Sequence, residues 1–258
     1  MKTIRDFVRI IDTQTIVVLL LSLASTFVCL RLKLAADIPS SLVGIAIIFP
    51  IVFSINSAYK RREDALGYLA TMKASAMSLY YVHRDCPKGG TGESENAKNA
   101  ARLIQSFMGA ITDYLANGET GSGPRFMKVY ETASEFSAFN ETLRPAGVQA
   151  SDVTRANQYL YSMLQDFERL KNIHQYRTPV SLRSYSRIFL NTFPIIYGPY
   201  FAHISEKYGI GFGYLVAAIY CLVLVSLDNI QDDLENPFDA VGSDDINLNV
   251  FDDYKKLF

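Results

Sequence analysis

Four nearly charge-free runs, at residues 13–30, 38–59, 188–205 and 208–227, constrain this chain more than any other feature. Each is 18 to 22 residues long, the length a helix needs to cross the hydrocarbon of a bilayer. Composition hides them: 49% hydrophobic and 20% charged residues are near soluble averages, because the charges gather between the runs. Residues 60–187 form a polar stretch with no run long enough to span. The pattern predicts an all-α protein with four spans and a large helical insert. Its parts are residues 1–59 (a first segment and spans 1 and 2), 60–187 (the insert), 188–227 (spans 3 and 4) and 228–258 (an acidic end).

Lys2, Arg5 and Arg9 precede the first run, and Lys60, Arg61 and Arg62 follow the second. Cationic flanks face the cytosol, so both ends and the insert are expected there in a multi-pass integral membrane protein. No small-residue cleavage site follows the first run, which reads as a retained span. The third run holds Asn191, Pro194, Gly198, Pro199 and His203. Irregular backbone at membrane depth needs cover from protein or a water-filled cavity, so a broken or shielded helix is expected.

In the second run Ile45, Phe49 and Phe53 recur every four residues and share one helix face. Such a stripe ordinarily packs against neighbours; around an axis shared by several copies it makes a hydrophobic throat. The helical spacing then continues through Ala65, Leu69, Met72, Ala76 and Leu79 to about Tyr81, so this helix is expected to outrun the membrane. Residues 85–96 read as a loop, with Ser94 placed to cap the next helix. Further helices are expected near residues 97–116, 125–144 and 151–174. Pro50 removes one helix hydrogen bond and marks a site for a kink.

A net charge of −1 gives no electrostatic footprint for nucleic acid. Cys29 and Cys221 lie inside apolar runs and Cys86 in the insert, which is no disulfide framework. His83, His174 and His203 are far apart and no Cys-x-x-Cys or His-Glu-x-x-His occurs, so no transition-metal site is read. Inside the runs the only titratable groups are His203, two cysteines and tyrosines. A membrane enzyme or proton-coupled carrier would place carboxylates or paired histidines there. Residues 228–245 carry seven carboxylates and no Lys or Arg. They read either as a solvated exit segment or, with Asn and Pro among them, as a calcium-type cluster.

Three pieces, taken together, resemble the bestrophin family of anion channels. One is the Ile45, Phe49, Phe53 stripe with Arg61 eight positions beyond it. Another is Phe167-Glu168-Arg169-Leu170-Lys171-Asn172 followed by Thr178-Pro179-Val180-Ser181, similar to the Glu-Arg-Ile…Thr-Pro segment of bacterial and organellar members. The third is Asn236-Pro237-Phe238 with Asp244-Asp245 after the last run. The chain has no tryptophan, and Arg62-Glu63 stands where animal members carry Trp-Trp, so bacterial and organellar members are the nearer likeness.

The resemblance implies a homopentamer in a lipid bilayer around one axial pore, passing small chloride-type anions. Ile45, Phe49 and Phe53 would form the pore neck, with Lys60 and Arg61 as charge at its entrance. A lower constriction would fall near Val153. It also implies calcium as the one cofactor to consider, with Asp233, Asn236 and Asp244 as ligands, although bacterial members work without it. The readings left open are a non-conducting scaffold of the same fold and, further off, a membrane-embedded enzyme or carrier.

Overall fold

A computed structural model describes residues 12–39, 41, 45, 48–87, 95–117, 123–177, 179–240 and 244–248. The cationic flank before residue 10, the glycines and Ser94 of the 85–96 loop, Thr178 and part of the second run lie outside the described residues. All regular structure among the described residues is helical. The helices are α1 (Thr13–Leu32), α2 (Phe49–Asp85), α3 (Glu95–Ala116), α4 (Pro124–Glu141), α5 (Ala150–Gln175), α6 (Val180–Ile196), α7 (Gly198–Tyr208) and α8 (Ile210–Glu235). The chain divides into two units, residues 1–60 with 178–235 and residues 61–177 with 236–258.

In the first unit, α1 is started by a reciprocal cap. The Asp12 carboxylate accepts from the Thr15 N–H at 2.8 Å while Thr15 Oγ1 accepts from the Asp12 N–H at 3.3 Å, which satisfies amides that lack helical partners. The side chains of α1 are sorted backwards for water. Thr15, Val18, Ser22, Thr26 and Cys29 are buried, whereas Ile16, Val17, Leu20, Phe27 and Val28 are exposed. The last helix, α8, repeats the pattern: Gly213, Ala217, Cys221 and Ser226 face inward and Phe212, Leu215, Ile219 and Val223 outward. Small inward residues let backbones approach closely, the way helices associate where lipid gives no hydrophobic drive between them. At Gly213 a Cβ would stand 1.8 Å from Ser205 Oγ and 2.4 Å from the Phe201 carbonyl oxygen. Among the described residues, α1 and α8 are the helices long and apolar enough to cross a membrane by themselves.

The third apolar run is broken. Its first helix, α6, ends at Ile196, and α7 restarts at Gly198-Pro199. Proline suits that first turn because its missing N–H would have had no helical partner. The Ala36 N–H, from the segment after α1, donates to the Pro199 carbonyl at 3.1 Å, so another part of the chain covers irregular backbone here. Phe193 stacks on Tyr197 at 4.8 Å and meets Phe201 edge-on at 6.1 Å, filling the core with Ile51, Leu190, Leu224 and Val225.

The second unit is sorted the usual way. Buried Ile104, Phe107, Met108, Ile111 and Leu115 on α3 follow three-to-four-residue spacing. They join Met72 and Leu79 of α2, Phe136 of α4 and Met163, Phe167 and Leu170 of α5 in one core. The segment 236–248 belongs to this unit: Phe238 is buried in the core beside His174, and the Ile246 N–H closes onto the Pro237 carbonyl at 2.8 Å. The Asn-Pro-Phe motif is thus a turn that plants an aromatic ring.

Candidate pore-lining face

At the start of α2, Ile51, Ser54 and Ala58 are completely buried in the first unit. Their three- and four-residue spacing fixes one face inward, so Phe49 and Phe53 must face out. Ile45, Phe49 and Phe53 are 72%, 61% and 54% exposed, and the two phenyl rings meet edge-on with centroids 4.5 Å apart. Among the described residues the stripe is left mostly exposed. One to two turns on, Asn56, Ser57 and Lys60 continue the same exposed face. A surface meant only for acyl chains would not carry an amide and a hydroxyl within a turn of Phe53. These two polar residues were readable from the same i+3 and i+4 spacing, which sequence inspection applied only to the apolar positions. Pro50 follows closely on π-helical backbone at residues 45 and 48, where a widened turn coincides with the hydrogen bond that proline removes.

The two entrance charges differ. Lys60 is exposed, whereas Arg61 is half-buried and one of its guanidinium nitrogens donates to the Ile173 carbonyl at the end of α5. Arg62 reaches the Asp244 carbonyl at 2.6 Å and the Glu63 carboxylate at 2.8 Å. Arg61 and Arg62 therefore fasten parts of the second unit together. Val153, expected near a lower constriction, is completely buried in the core of that unit, so its side chain lines no lumen. It sits on the inward face of α5 with Ala156, Leu160 and Met163.

The Glu-Arg-Leu segment is a packing hub. Phe167 and Leu170 are fully buried, and Glu168 accepts from the Tyr130 hydroxyl of α4 and pairs with Lys171. Burial would raise the Glu168 pKa, but those two partners outweigh it and the net shift is downward. Burial first, and the carboxylate second, push the Tyr130 hydroxyl well above its ordinary value. Arg169 lies over the Tyr68 ring of α2 at 5.1 Å and near Asp166, whose other oxygen accepts from Thr71 at 2.6 Å.

The acidic run is largely taken up by arginines from α6: Arg183 meets buried Glu235 at 2.9 Å and Arg187 meets Asp232 at 2.8 Å. Of the three residues considered for calcium, Asp233 lies exposed on α8. Asn236 donates its amide to Asp239 at 2.8 Å, and its own side-chain oxygen is buried without a partner. The Asp244 carbonyl already accepts from Arg62. Among the described residues no three His, Cys, Asp or Glu side chains gather to hold a metal ion. Calcium takes six to eight oxygens, and the described residues do not assemble such a set around Asn236.

These features define a class: an all-helical protein in which one helix, α2, serves both a unit sorted for hydrocarbon and a unit sorted for water. No family model matches the sequence, and no curated protein matches it. Solved structures do match. A bacterial bestrophin homologue from Klebsiella pneumoniae, as a single-residue variant, superposes with a TM-score of 0.77 at 15% identity, covering 95% of this chain and 97% of that one. Another variant of it gives 0.76 at 16% identity over 95% and 97% of the two chains. A third structure, solved by zinc phasing, gives 0.76 at 15% over 93% and 95%. The chain has the bestrophin-like fold.

Proposed function

We propose that this chain is a subunit of an anion channel, embedded in a membrane by α1, the first part of α2, the α6–α7 pair and α8, and assembled as a homopentamer around one pore. The observation that carries this reading is the exposed face of α2. Ile45, Phe49 and Phe53 are mostly exposed among the described residues, and Asn56, Ser57 and Lys60 extend that face with groups suited to water and anions. Copies of the face around an axis form a hydrophobic neck, which closes by dewetting and opens when wetted. The positive edges of phenyl rings then line the path, no carboxylate occurs in residues 38–59 to prefer cations, and Lys60 concentrates anions at the mouth. Weakly hydrated anions pass most easily, because they lose least on shedding water.

The test is purified protein in planar bilayers under a salt gradient. The reading expects a reversal potential on the anion side, and larger, less rectified current from Phe49→Ala with Phe53→Ala. A reversal potential on the cation side sinks the selectivity, and current indifferent to both truncations sinks the neck. Absence of any current from protein shown to be pentameric favours a scaffold of the same fold.

A further inference from the structure

His83, near the end of α2, has no exposed surface. Its ring stacks on Phe139 at 4.4 Å with 11° between planes, and Phe136 meets it edge-on at 6.0 Å. Its Nε2 lies 2.9 Å from Asn140 Oδ1, while Asn140 Nδ2 donates to Asn157 Oδ1 at 2.9 Å. That direction of bonding makes Nε2 the protonated nitrogen. The chain His83–Asn140–Asn157 therefore ties α2, α4 and α5 together, starting from a buried ring. Its buried end has no spare acceptor: Nδ1 has no hydrogen-bond partner.

This pocket suits a neutral imidazole better than a charged one: the neutral ring has its Nε2–H bonded and leaves one Nδ1 lone pair without a donor. A second proton would put an N–H where the described residues offer no acceptor, and a charge out of reach of water. The charged groups nearby are already committed. Arg84 pairs with Asp85 on α2, Glu141 with Arg144 at the end of α4, and Asp152 with Arg155 on α5. The buried face of α3 offers no ionisable group except Tyr114.

We propose that His83 is an acid-sensitive latch, holding α2 to α4 and α5 while its ring is neutral and releasing them when it is protonated. Burial lowers its proton affinity, and the bond to Asn140 opposes that only in part. The folded-state pKa therefore lies below the ordinary imidazole value of about 6.5. The latch is at full strength above about pH 6.5 and is lost as pH falls through the folded value, because the unfolded state then binds more protons.

The inference stands apart from conduction, and its test reads no current. Amide hydrogen exchange on the full chain in detergent, corrected for intrinsic exchange, should show residues 78–85 and 136–141 losing protection by up to tenfold per pH unit below about 6.5. His83→Gln keeps an amide donor for Asn140 but cannot titrate, and should flatten this dependence. Protection that does not change with pH in the wild type, or changes equally in the variant, overturns the latch. Should the variant fail to fold, nitrogen and carbon resonances of the wild-type imidazole decide. A neutral Nε2–H tautomer with a depressed midpoint supports the proposal, whereas a midpoint at or above the ordinary value, or an Nδ1–H tautomer, overturns it.

Discussion

The two units differ in what they leave outside. The first also has a core, around Ile51, Phe193 and Leu224, but its helices α1 and α8 turn mostly small and hydroxyl-bearing residues inward and large apolar ones outward. In residues 61–177 the inward positions are Phe107, Phe136, Phe167 and Leu170, and the large apolar groups leave water. In residues 1–60 with 178–235, α1 and α8 turn threonines, serines, glycine and alanine inward and leave leucines and phenylalanines outside. One chain could not favour both arrangements in one solvent, since moving apolar area out of water is the dominant drive to fold. The difference therefore reports two surroundings and the physics each allows: volume-driven burial in one unit, close backbone approach in the other.

Mutations can break or sharpen that comparison. Phe167→Ala should have the largest effect, costing about 3–5 kcal/mol, because it removes a fully buried ring and leaves a cavity; thermal or denaturant unfolding in detergent reads it. Arg183→Ala should come close, at about 3 kcal/mol, because it removes an ion-pair partner from the buried Glu235 carboxylate. The exposed Arg84–Asp85 pair should show no measurable loss when broken. Next, Gly213→Val should cost about 1–3 kcal/mol by forcing α7 and α8 apart, and would show as reduced melting temperature and earlier proteolysis. Ile219→Ala on the outer face of α8 should likewise change stability little, by less than about 0.5 kcal/mol. If Ile219→Ala costs as much as Phe167→Ala, the first unit is sorted for water and the membrane reading fails.

Local chemistry made much of this fold legible in advance. Charge-free length located α1, and periodicity located α3, α4 and α5, to within a few residues. The fourth run found the start of α8 but not its last eight residues to Glu235, and the prolines and glycine of the third run forecast its break. The Ile45, Phe49, Phe53 stripe was visible because helical spacing alone puts those residues on one face. Less visible were pairings made across long stretches of chain. Nothing around Glu235 announces Arg183, 52 residues away, and nothing beside Arg61 announces the Ile173 carbonyl. For that reason the acidic run read as solvated or calcium-binding when arginines already hold part of it, and Arg61 read as an open charge. Val153 shows the limit of placing a residue by likeness alone, since only its neighbours Ala156, Leu160 and Met163 reveal which way it faces.

The Ala36 amide that covers the Pro199 carbonyl also has a meaning in time. The first unit is discontinuous: α1 is made early, but its partners α6, α7 and α8 begin at residue 180. At ordinary elongation rates the intervening 147 residues (33 to 179) take roughly seven to thirty seconds to synthesise. Through that interval α1 must wait with its Thr15, Ser22 and Thr26 hydroxyls unaccompanied by the helices that later enclose them. Residues 61–177 of the second unit can condense meanwhile. The first unit closes only when the final third of the chain arrives, and the 236–248 segment completes the second after that.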